Sequence, residues 1–389
     1  MRVFISTGEV SGDLQGAMLI ESLYRIAAKK GIDLEISALG GDRMKAVGAN
    51  ILANTAVIGS VGFLEALPFV IPTLKIQSQT QKYLRDNAPN VLVLIYYPAF
   101  NLAIASYVKK HLPNVPIVYY IAPQDWAVPR LNNTPKIVKV IDRLLAIFPA
   151  EAKYFQQKNL DVTWVGHPLL DRIQNTLNRA SARTILSIKK EQLIVTLLPA
   201  SRQQELKYLL PVICQAAQKI QTKLSNIHFL LPVSLAGYRE EISRVVEEYN
   251  LSVTLLDGTK TLEAIAAADL AITKSGTVNL EVALLNIPQV VIYRVHPFTA
   301  WVARKILRFD IPLMSPPNLI VEREIVPELK QEAVTTDNIT DRALMLLKDE
   351  TKRQQILTDY QQMRSLLGET GVGDRAAREI IKACCKTSS

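Results

Sequence analysis

The sequence predicts an α/β protein of two doubly wound parallel-sheet domains facing each other across a cleft, and three observations carry that expectation. Short continuous Val/Ile/Leu runs recur along the chain between longer stretches of helical pattern, as strands buried on both faces of a parallel sheet should. The alternation runs once to about residue 165 and starts again near 190. The 389 residues are 49% hydrophobic and 21% charged, the balance of a folded chain long enough for two ordinary cores. We divide the chain into 1–165, a connector 166–190, a second domain 191–335 and a block of helices 336–389.

Taken in order, the strands of the first domain are expected at Val3–Ser6, Leu34–Leu39, Val91–Ile95, Ile117–Ile121, Leu144–Phe148 and Val162–Val165. Those of the second are expected at Leu193–Leu198, Ile227–Leu231, Val253–Leu256, Leu270–Thr273 and Val290–Tyr293. Helical segments such as Gly16–Lys29 and Gln215–Leu224 separate them, with Gly, Pro and Asn at the turns. Pro211 reads as the first turn of a restarted helix. "GHPLLDRIQNTLNRASART" reads as a connector and then a polar helix, and the last fifty residues as charged helices without strands.

The formal net charge of +9 favours anionic partners, although a solubilising surface would explain it equally. The basic residues are scattered and lack aromatic interleaving, so no nucleic-acid partner is expected. Cys214, Cys384 and Cys385 form no C-x-x-C pair, which points to a reducing compartment and no structural metal. No signal peptide is read at the N-terminus. The apolar stretches 51–72 and 91–108 are broken by Asn54, Glu65, Pro68, Pro98 and Asn101, whereas a spanning helix needs roughly 20 mostly apolar residues. His167, before Pro168, reads as a hinge residue, and neither a metal site nor a Ser-His-Asp triad is expected.

Doubly wound folds bind ligands in the loops at the carboxyl ends of their strands. The first such loop, "GEVSGDLQGA", carries Glu9, Ser11 and Asp13 where a phosphate loop would avoid negative charge. In the second half, "TKSGTVNLE" is a strand, a Ser275–Gly276–Thr277 turn and a helix, with Thr277 as the expected N-cap. Its helix end suits a diphosphate, and Glu281, one turn on, would accept ribose hydroxyls; a cap with no ligand is the alternative. "LLPASRQQEL" offers Ser201 and Arg202, a guanidinium able to neutralise a diphosphate without a metal or to pair with Glu205. "SPPNLIVEREIVPELKQ" is a stiff loop that either positions substrate or turns a corner. "YYIAPQDWAVPR" sets Asp125 beside Trp126, a candidate pair that reads equally as a solvated loop residue and a core filler, and "LIYYPAFN" offers Tyr96, Tyr97 and Asn101 but no carboxylate.

Seven segments, "GEVSGDLQGA", "GGDRMKAVG", "YYIAPQDWA", "VGHPLLD", "LLPASRQQEL", "SGTVNLE" and "PPNLIVEREIVPEL", occur in that order from end to end. Together they resemble the lipid-A-disaccharide synthase family, inverting glycosyltransferases with two Rossmann-like domains of the GT-B type. The resemblance implies a UDP-2,3-diacylglucosamine donor, a 2,3-diacylglucosamine 1-phosphate acceptor, and a β-1,6-linked product with release of UDP. It puts the donor on Ser201, Arg202, Ser275, Gly276, Thr277, Glu281, Asn318 and Gln331 of the second domain. It puts the acceptor in the first domain, with Glu9 important for activity and Ser11, Asp13 and Asn101 on the substrate side. It implies no cofactor, a cytoplasmic chain peripherally bound to the inner membrane, and room for an oligomer. The apolar segment 58–76 would then dock on membrane or acyl chain, unless it is a core helix.

One departure bears on the chemistry. The family's I-D-x-P-D-F-N, whose first Asp is its presumed base, is "IYYPAFN" here, with Tyr96 and Ala99 replacing both carboxylates. An unperturbed tyrosine, with a pKa of about 10, is a poor base near neutrality. The neighbouring loop carries Asp125 where the family usually has a hydrophobic residue, so Asp125 is expected to supply the missing carboxylate. Ala200 stands where the family usually has Gly.

Overall fold

A computed structural model of the chain describes residues 1–56, 70–127, 133–174, 178–199, 203–295, 301 and 312–385. Two compact units divide it: Met1–Asp171 with Leu367–Ser389, and Arg172–Leu366.

The first unit contains strands β1 (Arg2–Ser6), β2 (Glu35–Gly40), β3 (Asn50–Asn54), β4 (Val91–Ile95), β5 (Ile117–Tyr120), β6 (Arg143–Ala146) and β7 (Val162–Trp164). Among the described residues they form one parallel sheet in the order β3-β2-β1-β4-β5-β6-β7. Its helices include α1 (Val10–Lys29), α2 (Asp42–Ala46), α3 (Val70–Asp86), α4 (Pro98–His111), α5 (Thr134–Val140) and α6 (Pro149–Gln156). Helix α7 (Leu169–Gln174) carries the chain across the division between the units. Every residue of β4, "VLVLI", is buried, as a strand covered on both faces requires.

The second unit has β8 (Leu193–Leu198), β9 (Ile227–Val233), β10 (Val253–Asp257), β11 (Leu270–Lys274), β12 (Gln289–Tyr293) and β13 (Glu328–Lys330), all parallel, in the order β10-β9-β8-β11-β12-β13. Helices α8 (Arg179–Ile185), α9 (Gln203–Lys223), α10 (Arg239–Glu248), α11 (Thr261–Ala267), α12 (Thr277–Leu284), α13 (Pro316–Val321), α14 (Thr336–Lys348) and α15 (Glu350–Ser365) belong to it. The last helix, α16 (Val372–Cys385), returns to the first unit and packs on α1.

Five elements differ from those expected. Strands β3, "NILAN", and β13, "ELK", are short and carry polar ends, so their pairing with β2 and β12 defines them rather than their composition. The loop "SPPNLIV" is helical over Pro316–Val321. Helix α1 begins at Val10, not Gly16. Helix α9 runs unbroken through Pro211 instead of restarting there. Buried Leu206, Leu209 and Leu210 on one side of the proline, with Ile213, Ala217 and Ile220 on the other, hold that helix against the core.

Candidate functional site

In each sheet the strand order reverses once, between β1 and β4 and between β8 and β11, and the loops beyond those strands are where such folds bind ligands. Glu9, half-buried, is the N-cap of α1, and its side chain makes no cap hydrogen bond to that helix. Ser11 Oγ lies 3.5 Å from Glu9 Oε2.

Beyond β4 and β5 the backbone is strained: Tyr96, Tyr97 and Ile121 have φ of 45°, 48° and 61°, in the left-handed region that costs a bulky residue about 1–3 kcal/mol. The Tyr96 N–H donates to Ile121 O (2.9 Å), and Tyr96 O accepts from Tyr119 Oη (2.9 Å) and Asn101 Nδ2 (2.7 Å). Asn101 is wholly buried; its Nδ2 also faces Ser6 O and Ile95 O at 3.1 Å, and its Oδ1 accepts from Ser6 Oγ at 2.7 Å. It therefore fastens the carboxyl ends of β1 and β4 together. A Cβ on Gly8 would lie 2.2 Å from the Tyr97 ring, so only glycine admits that ring against the first loop. Burial raises the Tyr97 hydroxyl pKa, a hydrogen bond with Thr73 opposes the rise, and the Glu9 charge adds to it.

The other carboxylates of these loops serve helix ends. Asp13 is buried and accepts from the N–H groups of Gly41 (2.7 Å), Arg43 (3.1 Å) and Met44 (3.1 Å), at the start of α2. Both oxygens of Asp13, expected on the substrate side, accept backbone N–H groups. Asp125 is wholly buried and accepts from Thr134 N (2.7 Å), Thr134 Oγ1 (2.8 Å) and Asn133 Nδ2 (3.0 Å), at the start of α5. The carboxylate expected to replace the family's base is thus held in a cap. Glu151 accepts from Ile147 N (2.7 Å) and Phe148 N (3.4 Å); burial pushes its pKa up to about 8 against those bonds and one from the Ala122 backbone. His167 Nδ1 faces the Leu169 N–H at 3.3 Å, and burial lowers its pKa to about 3, so it is neutral near pH 7.

In the second unit, Ser275 anchors the turn after β11: its N–H donates to Ile292 O (3.0 Å) and its Oγ to Met314 O (2.9 Å). Gly276, not Thr277, is the N-cap of α12; its φ of 150° excludes a side chain, and its N–H donates to Asn279 Oδ1 (2.8 Å). Thr277 opens the helix, where first-turn N–H groups have no intrahelical acceptor. Glu281 is buried, with Oε1 2.9 Å from Arg172 Nε, a charge contact rather than an aligned hydrogen bond.

Asn318 is wholly buried and holds its own loop: Nδ2 donates to Val326 O (2.9 Å) and Glu328 Oε1 (2.8 Å), while Oδ1 accepts from Ile325 N (2.8 Å) and Val326 N (3.0 Å). Glu328 also accepts from Met314 N (2.9 Å) and Ser315 N (2.7 Å), so Ser275, Asn318 and β13 share one network. Gln331, half-buried with φ of 50°, directly follows β13. Ser201, Arg202, Ala200 and residues 58–69 of the apolar segment lie outside the described residues. Sequence reasoning missed Asn279, whose one signal is its place three residues after a turn glycine, as in a capping box.

Among the described residues no group of three or more His, Cys, Asp or Glu side chains could hold a metal ion, and no helix is long and apolar enough to cross a membrane. Residues 3–381 match the family model described as lipid-A-disaccharide synthetase. The chain is 56% identical over 382 residues to the lipid-A-disaccharide synthase of Gloeothece citriformis, covering 98% of this chain and 99% of the relative. It is 54% identical over 384 residues to that of Synechocystis sp., covering 98% of each. The structure resembles a Staphylococcus aureus MnaA–UDP co-structure (TM-score 0.69, 13% identity, 99% and 97% of the two chains covered). It also resembles the Methanocaldococcus jannaschii UDP-GlcNAc 2-epimerase in complex with UDP-GlcNAc and UDP (TM-score 0.62, 15% identity, 98% and 100% covered). At these identities the two structural likenesses speak for the fold.

Proposed function

This chain belongs to the lipid-A-disaccharide synthase family and is a hexosyltransferase, and from that premise we propose its reaction. It joins UDP-2,3-diacylglucosamine to 2,3-diacylglucosamine 1-phosphate through a β-1,6 linkage. The acceptor hydroxyl oxygen attacks the anomeric carbon from the face opposite the diphosphate. A base takes the hydroxyl proton, the bond from carbon to the diphosphate oxygen breaks, and UDP leaves with the electron pair. The observation that carries this reading is the family match over residues 3–381.

We assign the base to Glu9. In its favour, it sits at the first unit's switch point and makes no side-chain cap to its own helix, whereas Asp13, Asp125 and Glu151 are bound at helix starts. The donor diphosphate lies at the Ser275–Thr277 turn, with Glu281, Asn318 and Gln331 on that side, and the resemblance adds Ser201 and Arg202 as further donor residues. Support comes from the turn's place at the second switch point and from UDP in two proteins of similar fold. A cytoplasmic chain docked on the inner membrane is part of this reading, and exposed Val70 (45%), Ile71 (79%) and Leu74 (58%) at the start of α3 favour the docking on a lipid surface.

The test is a transfer assay with purified protein and the two acylated substrates in the presence of a chelator. A phosphorylated disaccharide plus UDP is expected. Saturable UDP binding without product would favour a second reading, which Tyr96 and Ala99 in place of both family carboxylates motivate: the same donor with a changed acceptor, or binding without turnover.

A further inference from the structure

A buried chain of hydrogen bonds runs from helix α15 to the turn after β11. Tyr360 Oη donates to Ile287 O (3.2 Å) and accepts from Gln289 Nε2 (3.0 Å). Gln289 Nε2 also donates to Asn279 O (2.9 Å), and its Oε1 accepts from Asn279 Nδ2 (3.3 Å). Asn279 Nδ2 reaches Lys274 O (2.9 Å) and Thr273 Oγ1 (3.3 Å), and its Oδ1 takes the Gly276 N–H (2.8 Å). Asn279, Gln289 and Tyr360 are all wholly buried, so none of them touches ligand through an open surface. We propose that Asn279, braced by Gln289 and Tyr360, is the positioning residue that presets the Ser275–Thr277 turn for a diphosphate.

The physical case has two parts. Gly276 sits at φ 150°, a conformation that glycine adopts freely and that nothing in its own side chain can hold. Asn279 grips both sides of that glycine, the carbonyl of Lys274 before it and the N–H of Gly276 itself. A turn fixed before the ligand arrives spends no binding energy on ordering, and Thr277 and Val278 sit in the first turn, where N–H groups have no acceptor within their own helix. The amide is suited to the task because it donates and accepts at once, and Gln289 fixes which end does which.

This rests on the reading of that turn as the donor diphosphate's seat, and the experiment separates the two. Calorimetry measures UDP, and competition measures uridine, on the wild type and on Asn279→Ala and Tyr360→Phe. Asn279→Ala is expected to weaken UDP about tenfold and Tyr360→Phe about two- to threefold, the range of one or two lost hydrogen bonds. Uridine, which has no phosphate, should bind both variants as it binds the wild type. Equal losses for UDP and uridine would mean a general structural role and would overturn the proposal, as would unchanged UDP affinity in folded Asn279→Ala. Wild-type protein that does not bind UDP would overturn the reading of the seat itself.

Discussion

Asp13, Asp125 and Glu151 share one circumstance: each is buried and accepts backbone N–H groups where a helix starts. Those N–H groups lack intrahelical acceptors, so a carboxyl group bound to them is tied to the backbone rather than turned to a substrate proton. Glu9 stands at the N-cap of α1 without a side-chain cap to that helix, with Ser11 Oγ 3.5 Å from its Oε2 and its charge felt at the Tyr97 hydroxyl. The two assignments make opposite predictions. Glu9→Gln should lower kcat about 100- to 10,000-fold with the donor KM nearly unchanged, the usual loss when a general base is removed. Asp125→Asn should keep kcat within a few-fold and lower thermal stability by about 1 kcal/mol, the typical worth of a cap. A folded Asp125→Asn protein with no turnover, beside an active Glu9→Gln, would return the base to Asp125.

Helix α6 and the loop after β5 are joined through Glu151, which takes N–H groups from Ile147, Phe148 and Ala122. Its folded pKa of about 8 lies above the ordinary 4.5, so the folded chain holds that proton more tightly than the unfolded chain does. The resulting stability is complete below about pH 4.5 and is lost as pH rises through about 8. Urea unfolding at pH 5 and pH 8 should show the wild type weakening across that window and Glu151→Gln weakening less; equal slopes would refute the burial argument. What the sequence disclosed follows the same physics. Strands such as β4 were legible because both faces are buried and the run is continuously apolar, and this placed Glu9, Tyr96 and Ser275 in loops beyond strands. Strand β13 was not, because three residues of mixed polarity become a strand only beside β12. Nor was the capping by Asp125 legible, since its partner Thr134 lies nine residues on and the fold alone brings them together. Gly276 could be distinguished from Thr277 as the cap only once the turn's dihedrals were known.

At the scale of the whole chain, the first unit is completed by its last segment, more than 190 residues after the chain has left it. Asp171 accepts from Gly371 N (2.6 Å) and Gly373 N (2.9 Å), and Arg375 Nε donates to Val165 O (2.9 Å). Arg25 pairs with Asp374, and buried Arg143 pairs with Glu379 as well as Asp161. Leu367, Val372, Ile380 and Ile381 are buried; four such side chains contribute roughly 6–12 kcal/mol of transfer free energy, as much as a typical domain's whole margin of about 5–15 kcal/mol. Removing residues 367–389 would expose the α1 surface that α16 covers and leave the Arg143 guanidinium without one of its two carboxylates. Hydrogen exchange on the 1–366 chain should therefore show protection lost from β1, α1 and β4, which depend on that helix, and kept in β8, β11 and β12. Protection retained across both sets of strands would mean that the first unit's own core suffices. The return of α16 would then be dispensable for stability, despite the ion pairs and buried side chains it brings.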